Sequence, residues 1–272
     1  MRLEEMFKLD GKVAVITGGA RHLGYDMAEI LAEAGCDLVL TSRTLGSAEQ
    51  SAKRLAKESG RDVLPLELDV TQPKEIESFA DAAWRWKGRV DILINNAGGG
   101  FGKSGGHLFQ RSAEDIIELI STNLTGSLLC CKAFAPKMAE QGNGKIINIA
   151  SIAGFVGRDR RMYDRNSMSS QPIDYAAAKA GVIGMTLDLA GLLSPMGVLV
   201  NAISPGGFTG PSRTVPEGFE SFVKDYSDST PMGRMGRDGI DLKGAALYLA
   251  SPASDYVTGH NLVVDGGFTI WH

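Results

Sequence analysis

Seven short runs of aliphatic and β-branched residues, at 13–17, 37–41, 63–68, 91–95, 145–150, 198–203 and Asn261–Val264, recur along the chain, and longer amphipathic stretches separate nearly all of them. Runs that are apolar throughout, rather than alternating with polar residues, suit strands covered on both faces. Strands separated by helical stretches pair in parallel through right-handed crossovers. The pattern predicts an α/β fold, a doubly wound Rossmann-type parallel sheet of seven strands with helices on both faces. The 272 residues, 43% hydrophobic, suffice for one large core. No repeat, low-complexity tract or linker divides them, so one domain over 1–272 is expected.

Composition also narrows the partners. A net charge of -4 gives no global basic field, so no nucleic-acid partner is expected. The three cysteines, Cys36, Cys130 and Cys131, match neither a disulfide framework nor a metal-ligand spacing. They read as reduced core thiols, with no metal site. Acidic residues precede the short apolar run near the N-terminus, and no signal-cleavage pattern follows it. No uninterrupted apolar run reaches the ~18 residues of a membrane span. A cytoplasmic protein with no membrane partner is expected.

Three stretches break the rhythm, at 98–111, 155–174 and 206–237. Each follows a strand at what should be the carboxyl edge of the sheet, where ligands bind. The first is crowded by Gly99, Gly100, Gly102, Gly105 and Gly106, and its Lys103 and His107 are candidate substrate contacts. The third, with Pro211, Pro216 and Pro231 at its turns, reads as a lid.

Tyr175 and Lys179 lie four apart in a segment that reads as a helix, which puts both on one face. A tyrosine hydroxyl ordinarily titrates near ~10, and an ammonium one turn away favours its phenolate, so the pair is suited to acid/base work. Far upstream, the first strand runs into Thr17-Gly18-Gly19-Ala20-Arg21-His22-Leu23-Gly24, after which 25–34 continues as a helix. Such a turn presents backbone N–H groups and a helix dipole to a pyrophosphate.

These features together resemble the short-chain dehydrogenase/reductase family, whose glycine pattern is Thr-Gly-x-x-x-Gly-x-Gly. His22 stands where the family's middle glycine would be. The resemblance covers nearly the whole chain, because further motifs follow in the family's order. Asp69-Val70 lies where the family contacts adenine, Asn95-Asn96-Ala97-Gly98 where it supports the sheet and lines the cofactor, and Asn123 where it carries a catalytic asparagine. Ser151 follows the fifth strand, and Pro205-Gly206 begins the family's loop over the nicotinamide, with Phe208 and Thr209 just beyond.

The resemblance implies that Ser151 hydrogen-bonds the substrate carbonyl, Tyr175 exchanges the proton, Lys179 binds the nicotinamide ribose and lowers the Tyr175 pKa, and Asn123 holds a water linking Lys179 to solvent. It implies cofactor contacts from Gly18, Gly19, Arg21, His22, Leu23, Gly24, Ser42, Arg43, Asp69, Val70, Asn96, Ala97, Gly98, Tyr175, Lys179, Pro205, Gly206, Phe208 and Thr209. After the second strand, Ser42-Arg43 offers a hydroxyl and a guanidinium but no carboxylate. That favours the 2′-phosphate of NADP(H) over the bare ribose of NAD(H), which stays possible. A homotetramer is also implied.

Ser151 and Tyr175 are 24 positions apart, an unusually long separation for the family, so an insertion borders the site. It carries Arg158, Arg160, Arg161 and Arg165 against Asp159, Asp164 and Asp174, together with Ser167, Ser169, Ser170 and Gln171. It is either a solvated flap or a wall whose arginines accept an anionic or polyhydroxy group. Tyr163 stands nearer the usual distance from Ser151, but position 167 is Ser, so Tyr163 reads as a substrate-side or packing residue. The expected substrate is a small molecule bearing a carbonyl or alcohol: a sugar, sugar acid or polyol, as in gluconate 5-dehydrogenase-like members. The alternative is a 3-oxoacyl-carrier-protein reductase. A nucleotide-sensing protein without turnover would require one of the catalytic positions to be missing, and all are present.

Overall fold

The structure, a computed structural model, describes residues 2–99, 106–210 and 219–271. A short helix α1 (Leu3–Phe7) precedes strand β1 (Val13–Ile16), helix α2 (His22–Glu33), β2 (Asp37–Ser42), α3 (Leu45–Ser59), β3 (Val63–Glu67), α4 (Pro73–Lys87) and β4 (Ile92–Asn95). The second half runs through α5 (Ala113–Ile120), α6 (Gly126–Gln141), β5 (Gly144–Ile149), α7 (Arg160–Arg165), α8 (Ile173–Leu193), β6 (Val198–Pro205), β7 (Phe208–Thr209), α9 (Phe219–Asp228), β8 (Gly236–Arg237), α10 (Lys243–Ala250) and β9 (Asn261–Val264).

Seven strands form one all-parallel sheet in the order β3-β2-β1-β4-β5-β6-β9, as the alternation predicts. Successive side chains of a strand point to opposite faces, and β1 shows why its run has to be apolar throughout. Ala14 and Ile16 join a core with Met27, Ala28 and Leu31 of α2 and Leu249 of α10, whereas Val13 and Val15 join Phe79 of α4 and Phe134 and Met138 of α6 on the other face. Cys36, Cys130 and Cys131 are free and buried in these cores, as expected, and burial pushes their thiols up.

The order of strands reverses between β1 and β4, so the loops leaving their carboxyl ends diverge and leave a crevice. Two features were not anticipated. Strands β7 and β8 pair as a separate two-stranded sheet within the expected lid. Helix α8 extends into a segment, Ile173–Met196, that is long and apolar enough to cross a membrane by length and composition, which no uninterrupted run in the sequence had suggested. In the fold this helix packs along β6 and carries Tyr175 and Lys179.

Candidate active site

One cleft of about 1200 Å³ runs along the carboxyl edge of the sheet. Its walls include Gly18, Arg21, His22, Leu23, Gly24, Ser42, Arg43, Asp69, Val70, Asn96, Ala97, Gly98, Ser151, Tyr175, Lys179, Pro205, Gly206 and Phe208. The sheet therefore brings together residues spread over almost the whole sequence. Gly19, Asn123, Thr209 and His107 are not among the lining residues. Thr209 is engaged in the β7–β8 pair, and His107 is exposed, capping the short helix Leu108–Gln110. Lys103, Gly100, Gly102, Gly105, Pro211 and Pro216 lie outside the described residues.

The glycine turn is held rigidly from below. Asn96 Nδ2 donates to the carbonyls of Thr17 and Gly18, each at 3.0 Å, and Thr17 Oγ1 accepts from the backbone N–H of Asn96 and of Ala97, again at 3.0 Å. Thr41 Oγ1 accepts from Gly18 N–H at 3.1 Å. A Cβ on Gly24 would collide with the Gly18 carbonyl and with the Asn96 amide, so a glycine is required there. His22 adopts φ +48°, the left-handed region that explains why glycine is usual at this place; histidine enters it at a cost of about 1 kcal/mol. The turn leads into the N-terminus of α2, whose first N–H groups lack helical partners. Arg21 and Arg43 also line the cleft and form no ion pair among the described residues. A cradle closed to side chains, free N–H groups and two uncompensated cations together fit a dinucleotide carrying an extra phosphate.

The opposite flank holds the acid/base candidates. Ser151, just past β5, is buried, its Oγ accepts from Ala153 N–H at 3.2 Å, and it lines the same cleft as Tyr175. Lys179 is buried; its Nζ donates to the Ile149 carbonyl at 2.8 Å and lies 5.7 Å from the Tyr175 ring centroid. Burial pushes its ammonium down to about 8, so it stays largely charged at neutral pH. Burial raises the Tyr175 pKa, opposed by the nearby Ser151 hydroxyl and by the charge of Arg158. The Arg158 guanidinium carbon lies as near the Tyr175 ring centroid, 5.7 Å, as the Lys179 ammonium does.

Asn123 sits in a π-turn, Ser121–Thr125, that joins α5 to α6. Single π-turns of this kind recur at functional sites. Its side chain is fully buried and tied to Gly99: Oδ1 accepts from Gly99 N–H at 2.7 Å, and Nδ2 donates to the Gly99 carbonyl at 3.2 Å and to the Leu119 carbonyl at 3.0 Å. It therefore sits behind the cleft wall and buttresses the loop after β4.

The insertion packs against α9 through apolar side chains, and one of its arginines reaches the cleft. Met162 of α7 and Phe222 and Tyr226 of α9 form a small core with Met235, flanked by Tyr163, Met168, Phe219 and Phe268. Tyr163 packs on Phe222 at 5.0 Å and also lines the cleft. Tyr226 stacks on Phe268 at 4.3 Å, and its hydroxyl accepts from Gly207 N–H at 2.6 Å. Of the four arginines, Arg158 alone lines the cleft, together with Ser167, Ser169 and Gln171. Asp174, next to Tyr175, is buried and paired with Arg111 at 2.5 Å, which fixes the start of α8 to the loop before α5. Sequence reasoning missed Arg111, Phe222 and Tyr226. Their only signal is distance along the chain from any motif, which identifies nothing.

Comparison with known proteins agrees with this geometry. A family model described as enoyl-(acyl carrier protein) reductase matches residues 18–269. The chain is 36% identical to an NADP-dependent mannitol dehydrogenase of Hypocrea jecorina, over 98% of this chain and 96% of that protein. It is 33% identical to the 3-oxoacyl-acyl-carrier-protein reductase FabG of Aquifex aeolicus, over 96% of this chain and 98% of that one. Among solved structures, a gluconate 5-dehydrogenase from Burkholderia cenocepacia in complex with NADP and tartrate superposes with a TM-score of 0.86, at 32% identity and with 99% of each chain covered. The chain belongs to the short-chain dehydrogenase/reductase family and is an oxidoreductase acting on alcohol or ketone groups.

Proposed function

We propose that the protein is an NADP(H)-dependent oxidoreductase that interconverts a secondary alcohol and a carbonyl on a sugar, sugar acid or polyol, and that it works as a single domain. The observation that carries the chemistry is that Ser151, Tyr175 and Lys179 line one cleft, with Lys179 one helical turn from Tyr175. The cofactor supplies or accepts the hydride when bound. Ser151 orients the substrate oxygen and stabilises charge that develops on it. Tyr175 gives its proton to that oxygen in reduction and takes it back in oxidation. Lys179 holds the ribose and keeps a positive charge beside the tyrosine, while Asn123 fixes Gly99 and hence the floor beside Lys179. Gly18 to Gly24 hold the pyrophosphate, and Arg21, Ser42 and Arg43 hold the 2′-phosphate.

The preference for NADP(H) is supported by the absence of a carboxylate from the end of β2 and by the NADP named for the Hypocrea and Burkholderia proteins. The hydroxylated substrate is supported by Arg158, Ser167, Ser169 and Gln171 in the cleft wall and by the relatives named for mannitol and gluconate. A second reading, reduction of 3-oxoacyl thioesters, draws on the apolar wall of Met162, Phe222, Met235 and Phe268 and on the FabG relative. A panel of sugar acids, polyols, aldoses and 3-oxoacyl thioesters, followed by NADPH and NADH absorbance in both directions, separates them. Turnover of a hydroxylated substrate with NADP(H) supports the first reading, and turnover confined to thioesters overturns it. A cytoplasmic homotetramer belongs to the same proposal, supported by the exposed apolar side chains Ile117, Leu128, Leu187 and Leu192; light scattering checks the assembly.

A further inference from the structure

Arg158 differs from every other arginine of the insertion. Arg160 donates to Ser170 Oγ at 2.6 Å, Arg161 pairs with Asp159 at 2.8 Å, and Arg165 pairs with Asp225 at 3.3 Å, and none of these three arginines lines the cleft. Arg158 has no carboxylate partner among the described residues. Its Nη1 donates to the Gln171 carbonyl at 2.9 Å and its Nη2 to Gln171 Oε1 at 2.8 Å, both uncharged acceptors. A guanidinium has five N–H donors, and these two bonds leave three for a ligand.

The surroundings make this arrangement costly without a counter-ion. The Arg158 guanidinium carbon lies 5.7 Å from the Tyr175 ring centroid, inside the cleft, and burial, with the like charge of Arg160 added, pushes its pKa down. The nearest acid along the chain, Asp159, is already held by Arg161. Asp69, farther along the wall, accepts from Thr71 N–H and Oγ1. The cleft is also lined by Met162, Tyr163, Phe222, Tyr226, Met235 and Phe268, none of them charged, and by the acids Asp115, which pairs with Arg111, and Glu118, neither of which pairs with Arg158. A cation kept partly desolvated and unneutralised at a binding site is offset when an anion enters with the ligand, and a guanidinium matches a planar carboxylate in two-point geometry.

We infer that Arg158 is the anchor for a carboxylate of the substrate, so that the site selects an acid over the neutral alcohol of the same carbon chain. This rests on the cleft being the alcohol/carbonyl site proposed above. It deepens that reading by setting acids ahead of polyols and aldoses, with the apolar wall packing against the substrate's carbon–hydrogen face.

The test is calorimetric binding to the NADP⁺-saturated protein of two matched pairs, D-gluconate with D-glucitol and 3-hydroxybutyrate with 1,3-butanediol. Each pair differs only in a carboxylate against a hydroxymethyl group. The acid of at least one pair should bind more tightly than its alcohol. Arg158→Met should weaken that acid about 10- to 100-fold and leave the alcohol unchanged, with Arg158→Lys intermediate. Gln171→Ala, which removes the side-chain acceptor but not the charge, should keep the preference for the acid. Equal binding of acid and alcohol by the parent protein in both pairs overturns the inference. So does an Arg158→Met variant that weakens acid and alcohol alike, or a preference lost equally in Gln171→Ala, since either outcome reports a structural role. If the acid preference is present and depends on Arg158 but no sugar acid or polyol is turned over, the proposed substrate fails while the anchor stands.

Discussion

The two flanks of the cleft are built on different principles. On the glycine-turn side, Thr17, Thr41 and Asn96 tie the backbone at fixed points, and the surface offered is mostly main chain. On the insertion side, α7 and α9 meet through a cluster of Met, Phe and Tyr side chains, and the surface offered is side chain. A main-chain cradle recognises what every dinucleotide shares, whereas a side-chain wall can be rebuilt one residue at a time. Conserving the chemistry while changing the substrate requires only the second flank to vary.

Substitutions at the junction and on either flank can break or sharpen this contrast. The largest effect is expected where the flanks meet. Tyr175→Phe should lower kcat by about three orders of magnitude with NADPH affinity, read by fluorescence titration, unchanged; near-normal turnover would remove the tyrosine from the chemistry. On the cradle side, Arg43→Asp should move the NADPH/NADH preference by about 10- to 100-fold toward NADH. Unchanged selectivity in steady-state kinetics means that the 2′-phosphate is recognised elsewhere.

On the wall side, Tyr226→Phe removes the acceptor for Gly207 N–H. It should cost about 1–2 kcal/mol in denaturant unfolding and raise KM for the substrate while NADPH affinity holds. An equal loss of both affinities would show that the flanks are not separable. A further effect, read in stability alone, concerns Lys179. Its folded-state ammonium loses its proton near pH 8, against 10.5 ordinarily. The unfolded chain therefore binds more protons between these values, and stability contributed at this site rises with pH across that window. Urea melts of the parent and of Lys179→Met at pH 7.5 and 10 should show the parent gaining on the variant as pH rises; parallel changes would place the lysine in water rather than in the core.

The same division explains what could be read in the chain beforehand. The sheet, its parallel pairing and the crevice follow from runs such as 13–17 and 145–150, because full burial on both faces leaves one kind of residue acceptable. The glycine turn, Asn96, Ser151 and the Tyr175–Lys179 pair are legible because backbone approach and helical spacing restrict local sequence. The wall was not legible. Phe222 and Tyr226 meet Met162 across some sixty positions, and Phe268 joins them from the chain's end, and such meetings are set by tertiary packing that no local pattern encodes. Four arginines in one segment suggested a shared role, yet Ser170, Asp159 and Asp225 claimed three of them. Likewise the Arg158 guanidinium, seventeen positions upstream, comes as near the Tyr175 ring as the lysine one turn away, a proximity that helical spacing does not encode.

The π-turn at Ser121–Thr125 bears on how freely this chain can change in length. A π-turn accommodates one residue more than a regular helix would place in the same rise. Deleting one residue there would let 113–141 run as an unbroken α-helix and relieve the irregular hydrogen bonding. It would also turn one half of that helix by about 100° relative to the other, swinging Asn123 away from Gly99 or the Phe134 face away from the sheet. The irregularity thus acts as a ratchet against shortening: the better-formed helix and the working site are alternatives, and selection on function alone is enough to keep the surplus residue in place.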